Sequence, residues 1–405
     1  MEDILSTIQE FEGSMVQTLC DLVDIPAVSP LNGGQGERKK AEYLLAKLNS
    51  LGFGSEEFYN SPDDRVECGY HPNLVARIKG RTARRVWFVS HMDVVPEGDI
   101  SLWDSDPFKA LVRGKRIYGR GTSDNGQEIV SSLYAAAALK ELGFEPEYEI
   151  CLCFVSDEEV GSEHGICHLL EEEIFSPDDL IYVPDSGSLD GSFIEIAEKS
   201  NCAIEFVVEG RQVHASVPER GINACRVANE LSFILDSALH EAFPESDPLF
   251  SPPISTFEPT RRNLNVQNSN TIPGREVFSF DCRVLPSIPF EKIEELIAIN
   301  AEYLGNKHGA KIPWTFPRKD IAPAATPVDA PVVTITEKAI KEVLKVEPRV
   351  GGIGGGTCAS FFRKAGMPAV VWRQGNDTAH QPNEFIEIEH MVNEAKVFAC
   401  IMCGI

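Results

Sequence analysis

The sequence predicts an α/β fold: a doubly wound domain with a central, mostly parallel sheet, carrying an inserted α+β domain of split-βαβ, ferredoxin-like type. Three observations lead there. Helical and strand periodicities alternate up to about residue 200, as helices covering both faces of a parallel sheet require. From about Asn201 the texture changes to strand, helix, strand, helix, strand. Beyond residue 316 the α/β texture returns, so the middle segment reads as an insertion. The expected domains are 1–200 and 317–405, together forming one body, and 201–316 inserted between them.

In order, residues 2–24 read as an amphipathic helix that stops before Ile25-Pro26, and 37–51 as a second, closed by Gly52. Strand-like runs follow at 73–78 and 85–90. Residues 124–142 have helical spacing, with Ile129, Val130, Leu133, Ala136, Ala137 and Leu139 on or near one face. Residues 148–155 are largely apolar and bounded by polar residues, the pattern of a strand buried on both faces. A helix is expected at about 162–173 and a strand at 180–183. In the insertion, strands are expected at 202–209, 277–285 and 311–316, a short one near 254–257, and helices at 221–239 and 290–304. Helices at 330–344 and 357–365, a strand at 369–372 and a helix from Ile388 complete the chain.

Composition narrows function by exclusion. The 405 residues are 43% hydrophobic and 24% charged, so there is ample core, and the net charge of −25 disfavours nucleic-acid binding. The acidity is spread along the chain and reads as solubility. Eleven cysteines without a regular framework are the usage of a reduced cytoplasmic protein. Cys400 and Cys403 form a lone CxxC with no second pair to make a zinc site. The start, Met1-Glu2-Asp3-Ile4, lacks a signal peptide's basic and apolar regions, and no run is long enough to span a membrane.

The chemistry gathers at strand ends. Asp157-Glu158-Glu159 follows the 148–155 strand, at the edge where open α/β sheets bind ligands. Adjacent carboxylates in a crevice repel unless a cation or proton compensates. A divalent metal resolves this if one acid ligates and its neighbour stays free as a base. His91 and Asp93 end another strand, with Asp93 spaced to fix the His91 tautomer. Asp124 follows the glycine pair Gly119 and Gly121; Asp185 follows the strand at 180–183; His380 lies in a loop beyond Trp372. Any one of these has an ordinary alternative, such as an N-cap for Asp124. His91, His380, Asp124, Asp185, Glu158 and Glu159 together place two His, two Asp and two Glu on one sheet edge, an N/O donor set suited to zinc, manganese or cobalt.

These motifs resemble the co-catalytic zinc aminoacylase/carboxypeptidase family, which includes acetylornithine deacetylase, succinyl-diaminopimelate desuccinylase, glutamate carboxypeptidase and several dipeptidases. The resemblance spans essentially the whole chain. It implies that His91, Asp124 and Asp185 hold one zinc and that Asp124, Glu159 and His380 hold a second, Asp124 bridging. It implies Glu158 as general base, Asp93 as the orienter of His91, and a cis peptide at Asp124–Asn125. The insertion then resembles the family's lid and dimerisation domain, implying a homodimer. His214 matches the residue that reaches a partner's site and stabilises the oxyanion, Asn270 a substrate-contacting loop, and Arg283 the receiver of the substrate carboxylate. Gly356 and Thr357 match a glycine-rich turn opening a helix.

Two departures stand out. Gly126-Gln127 occupies the place of the family's usual Lys-Gly. Glu198-Lys199-Ser200 stands where the desuccinylase has an arginine, which argues against a succinyl group and points Glu198 towards a basic substrate side chain. The implied activity is removal of an acyl group from an N-acyl amino acid, with a metallo-carboxypeptidase or dipeptidase acting on short peptides as the alternative. A metal-binding protein without catalysis is disfavoured by the intact Glu158-Glu159 pair.

Overall fold

Apolar strands that alternate with helices have to be buried on both faces, and they are. In the computed structural model, which describes residues 1–404, the chain divides into two units. The larger comprises 1–196, 325–351 and 357–405; the smaller comprises 197–324 and 352–356. The smaller unit therefore runs past residue 316, because Trp314–Asp320 is a strand that pairs with Ser200–Glu209.

The larger unit is built on an eight-stranded sheet in the order 56–62, 70–78, 149–155, 85–91, 180–183, 369–371, 193–198, 349–353. The strands Glu149–Val155, Arg85–His91, Leu180–Val183 and Ala369–Val371 run parallel, and antiparallel strands flank them. Val89, Cys153, Val155 and Val183 pack with Phe362, Ile166 and Leu169 on one face. Phe88 lies 5.2 Å from Tyr182 and 4.9 Å from Phe398, ring to ring. Helix Gln127–Glu141 is buried from Gln127 to Leu139, which explains its weak amphipathicity.

Several elements differ from expectation. The first helix is two, Glu2–Glu10 and Glu12–Val23, broken at Phe11, whose ring docks 5.3 Å from Tyr134 just before Gly13. The expected helix at 162–173 becomes a wide turn, Glu163–Cys167, and a short helix, His168–Glu171. Gly165 has φ −98° and ψ −111°, and a Cβ there would meet the Ser156 carbonyl at 2.1 Å. Strands Glu56–Pro62, Phe193–Glu198 and Arg349–Ile353 were not anticipated; two central glycines mask the last. The helix expected at 357–365 spans only Ala359–Lys364.

The smaller unit folds as strand Ser200–Glu209, helix Ala224–Ala242, strands Thr256–Arg262 and Arg275–Val284, helix Phe290–His308 and strand Trp314–Asp320. Its sheet is antiparallel, with the second, third, first and fourth of these strands in that order, the ferredoxin-like arrangement. Phe206, Phe278, Leu231, Leu235 and Ile293 lie in its core.

Candidate metal centre

Register brings the chemical residues together. His91 aligns with Val155, and Phe88 with Tyr182, so the carboxyl ends of three parallel strands open on one edge. His91 closes its strand, Glu158 and Glu159 follow Val155 in a short 3₁₀ turn, and Asp185 lies just past Val183. Asp124 is not an N-cap. It lies in the turn Thr122–Gly126 with an extended backbone, and its peptide bond to Asn125 is cis.

The side chains converge on Asp124. His91 Nε2 is 2.8 Å from Asp124 Oδ1 and 3.6 Å from Asp185 Oδ1. His380 Nε2 is 3.1 Å from Asp124 Oδ2 and 3.1 Å from Glu159 Oε2. Each oxygen of Asp124 thus faces a different imidazole, the disposition that a bridging carboxylate needs. Bonds of about 2.0–2.1 Å to a tetrahedral zinc imply ligand-to-ligand separations of about 3.3 Å. The observed contacts bracket that value, and all donors are nitrogen or oxygen.

Electrostatics points the same way. Burial opposes charge on His91, yet hydrogen bonds with Asp124, Asp185 and Asp93 raise its pKa well above the usual value. Hydrogen bonds with Asp124 and Glu159 raise His380 to about 10. Burial, then the charge of Asp185, pushes Glu158 well above the carboxylate range. Five carboxylates against two imidazoles leave the site short of positive charge, and protons supply it in these pKa values. His91, Asp124, Glu159, Asp185 and His380 therefore fit two divalent cations.

Asp93 is buried, and its role differs in detail from the expectation. Its backbone carbonyl is 3.0 Å from His91 Nδ1, while its carboxylate is 3.6 Å away. Its two carboxylate oxygens instead accept the backbone N–H groups of Glu158 (3.1 Å) and Glu159 (3.0 Å). Asn125 escaped sequence reading. Its Oδ1 accepts the His91 N–H, and its Nδ2 donates to Pro184 O and Asp185 Oδ1. A second cluster, Asp63, His71 and His164, also went unseen because its members lie on separate segments. Arg65 already supplies its cation, donating to Asp63 and to His164 Nε2.

Four candidates belong to the smaller unit. His214 pairs with Thr271 in a two-residue ladder, and the Ala215 N–H donates to Asn270 O at 2.8 Å, so His214 and Asn270 are neighbours. Arg283 donates to both oxygens of Asp281 and, through Nη1, to Gly354 O at 2.8 Å, which ties it to the turn containing Gly356. In the larger unit, buried Thr357 accepts the Ala359 N–H at 3.2 Å. Cys400 and Cys403 are free, and burial raises both thiols, to about 11 and about 12.

The sequence pattern of Peptidase family M20/M25/M40 matches residues 87–403. The chain belongs to this family. Membership makes it a metallohydrolase of amide or peptide bonds. It is 42% identical to an uncharacterised metallohydrolase of Methanocaldococcus jannaschii, over 93% of this chain and 96% of that protein. It is 27% identical to the succinyl-diaminopimelate desuccinylase of Phenylobacterium zucineum, over 94% and 96%. Among solved structures, aminopeptidase PepT from Bacillus cereus superposes with a TM-score of 0.76 at 20% identity, covering 97% of this chain and 98% of that one. At that identity the last likeness speaks for the fold. No helix among the described residues is long and apolar enough to cross a membrane.

Proposed function

We propose that this M20 hydrolase removes the acyl group from an N-acyl amino acid at a dinuclear zinc centre. The observation that carries the reading is Glu158, a partly buried carboxylate held at the edge of a complete ligand set without belonging to it. His91, Asp124 and Asp185 would hold one cation, and Asp124, Glu159 and His380 the other. Cobalt or manganese would satisfy the same donors. When bound, the cations supply carbonyl polarisation and charge stabilisation.

The chain's residues do the rest. Asp93 fixes the Glu158 and Glu159 backbones, so Glu158 faces the reacting centre in one orientation. Glu158 accepts the attacking water's proton and returns it to the leaving amine. His214, from the smaller unit of a partner in a homodimer, donates to the developing oxyanion. Arg283 receives the substrate carboxylate with the N–H groups that Asp281 and Gly354 leave over, Asn270 contacts the substrate beside it, and Gly356 and Thr357 line the same end of the substrate.

The 27% identity to a desuccinylase favours a deacylase, while the family's peptidases favour a dipeptide or carboxypeptidase substrate. Zinc-loaded protein should be assayed on N-acetyl and N-succinyl amino acids, including basic ones, and on dipeptides. Turnover of acyl amino acids supports the reading. Turnover of dipeptides alone replaces it with the peptidase reading. Mixing His214→Ala and Glu158→Ala subunits should restore some activity if His214 acts across a dimer; none under subunit exchange would place it in its own chain's site.

A further inference from the structure

One carboxylate behind the metal centre gathers an unusual number of donors. Glu384 is fully buried. Its Oε1 accepts the backbone N–H groups of Ser123 (2.8 Å) and Asp124 (3.1 Å). Its Oε2 accepts the Gly121 N–H (3.2 Å) and Arg120 Nη1 (2.6 Å). Its backbone carbonyl accepts the Gly119 N–H at 2.9 Å. Arg120 is itself buried, its guanidinium 5.2 Å from the Trp103 ring. Three backbone N–H groups of the turn leading to Asp124 are therefore held by one side chain.

The same loop carries His380. Asn383 anchors it, its Oδ1 accepting the Asp104 N–H at 2.8 Å and its Nδ2 donating to Leu102 O at 3.1 Å. A closed ring results: the Asp124 backbone bonds to Glu384, three residues of chain lead back to His380, and His380 Nε2 returns to Asp124 Oδ2 at 3.1 Å. We propose that Glu384 is a positioning residue that sets Asp124 and His380 at the separation one cation requires. This rests on reading Asp124 and His380 as cation ligands. A carboxylate suits the task because both of its oxygens can accept, and all four of its partners donate. Glutamine would turn an NH₂ group towards two of those donors.

The test is calorimetric zinc titration of chelator-stripped wild type, Glu384→Gln and Glu384→Asp, with amide hydrogen exchange on the stripped proteins. Wild type should take two ions. Glu384→Gln should hold one of them about 10- to 100-fold more weakly, the usual effect of losing a ligand's supporting partner. Its amides should exchange faster at 119–124 and not elsewhere. Glu384→Asp keeps the charge but is one methylene short, and should show a smaller loss at the same ion. Two ions at wild-type affinity in folded Glu384→Gln, with unchanged exchange at 119–124, would overturn the proposal. If Glu384→Gln fails to fold, unweakened zinc binding by Glu384→Asp overturns it. If wild type takes no ion, the reading of the metal centre fails instead, and exchange at 119–124 still decides whether Glu384 holds the turn.

Discussion

Replacing Glu158 by glutamine separates base from ligand. The side chains are isosteric, and the residue's backbone N–H still donates to Asp93 at 3.1 Å, so the turn and Glu159 keep their places. The contacts of His91 and His380 run to Asp124, Asp185 and Glu159, none of which is altered. Glu158→Gln should therefore keep both metals. It removes a carboxylate that burial, then Asp185, makes unusually ready to hold a proton. General acid–base catalysis is worth about 10² to 10⁴ in rate, or roughly 3–5 kcal/mol of barrier. The expected outcome is kcat lower by that factor at wild-type metal content, read by amine release and elemental analysis on the same samples. A kcat within tenfold of wild type would refute the assignment of the base. Loss of a metal would show that Glu158 is a ligand.

Asp124→Ala should lower metal content from about two ions per chain to one or none, since both imidazoles meet on that carboxylate; two retained ions would exclude a bridge. Removing Arg363, whose Nη1 is 2.9 Å from Glu195 with both side chains buried, should destabilise by about 3–5 kcal/mol in urea unfolding. Arg363→Met with Glu195→Met should recover much of that loss, and a double variant no better than the single would sink the account. Burial lowers the Lys40 pKa to about 8, against the attractions of Asp93 and Glu37. The folded state then binds fewer protons than the unfolded one between about pH 8 and 10.5, so stability should rise with pH across that window. Lys40→Met should flatten the rise; a variant with the wild-type slope would refute it.

Glu158-Glu159, His91 and Asp185 were legible because each ends a run of apolar residues, and strand polarity sends such ends to one edge. Asp124 was legible as a participant, though its helix starts only at Gln127 and its backbone is extended. Glu384 and Asn125 were not legible because they work largely through backbone groups, and hydrogen bonds to backbone leave no residue-type pattern. Arg120 was not legible because it acts on Glu384, 264 residues away. Asp93 was legible as a partner of His91, but not as the acceptor of two neighbouring amides. The strand at 349–353 was hidden by the glycines that let Phe250 lie against Gly352.

Local chemistry along the chain determined the alternation of elements, the inserted α+β unit, the acidic and histidine donors, and their common edge. These follow from hydrophobic periodicity and strand direction, which are short-range properties. Only the tertiary structure decided which oxygen of Asp124 meets which histidine and which buried carboxylate holds the turn beneath it. Those contacts join residues from 33 to 260 or more positions apart, and their distances are set by packing that no local pattern records.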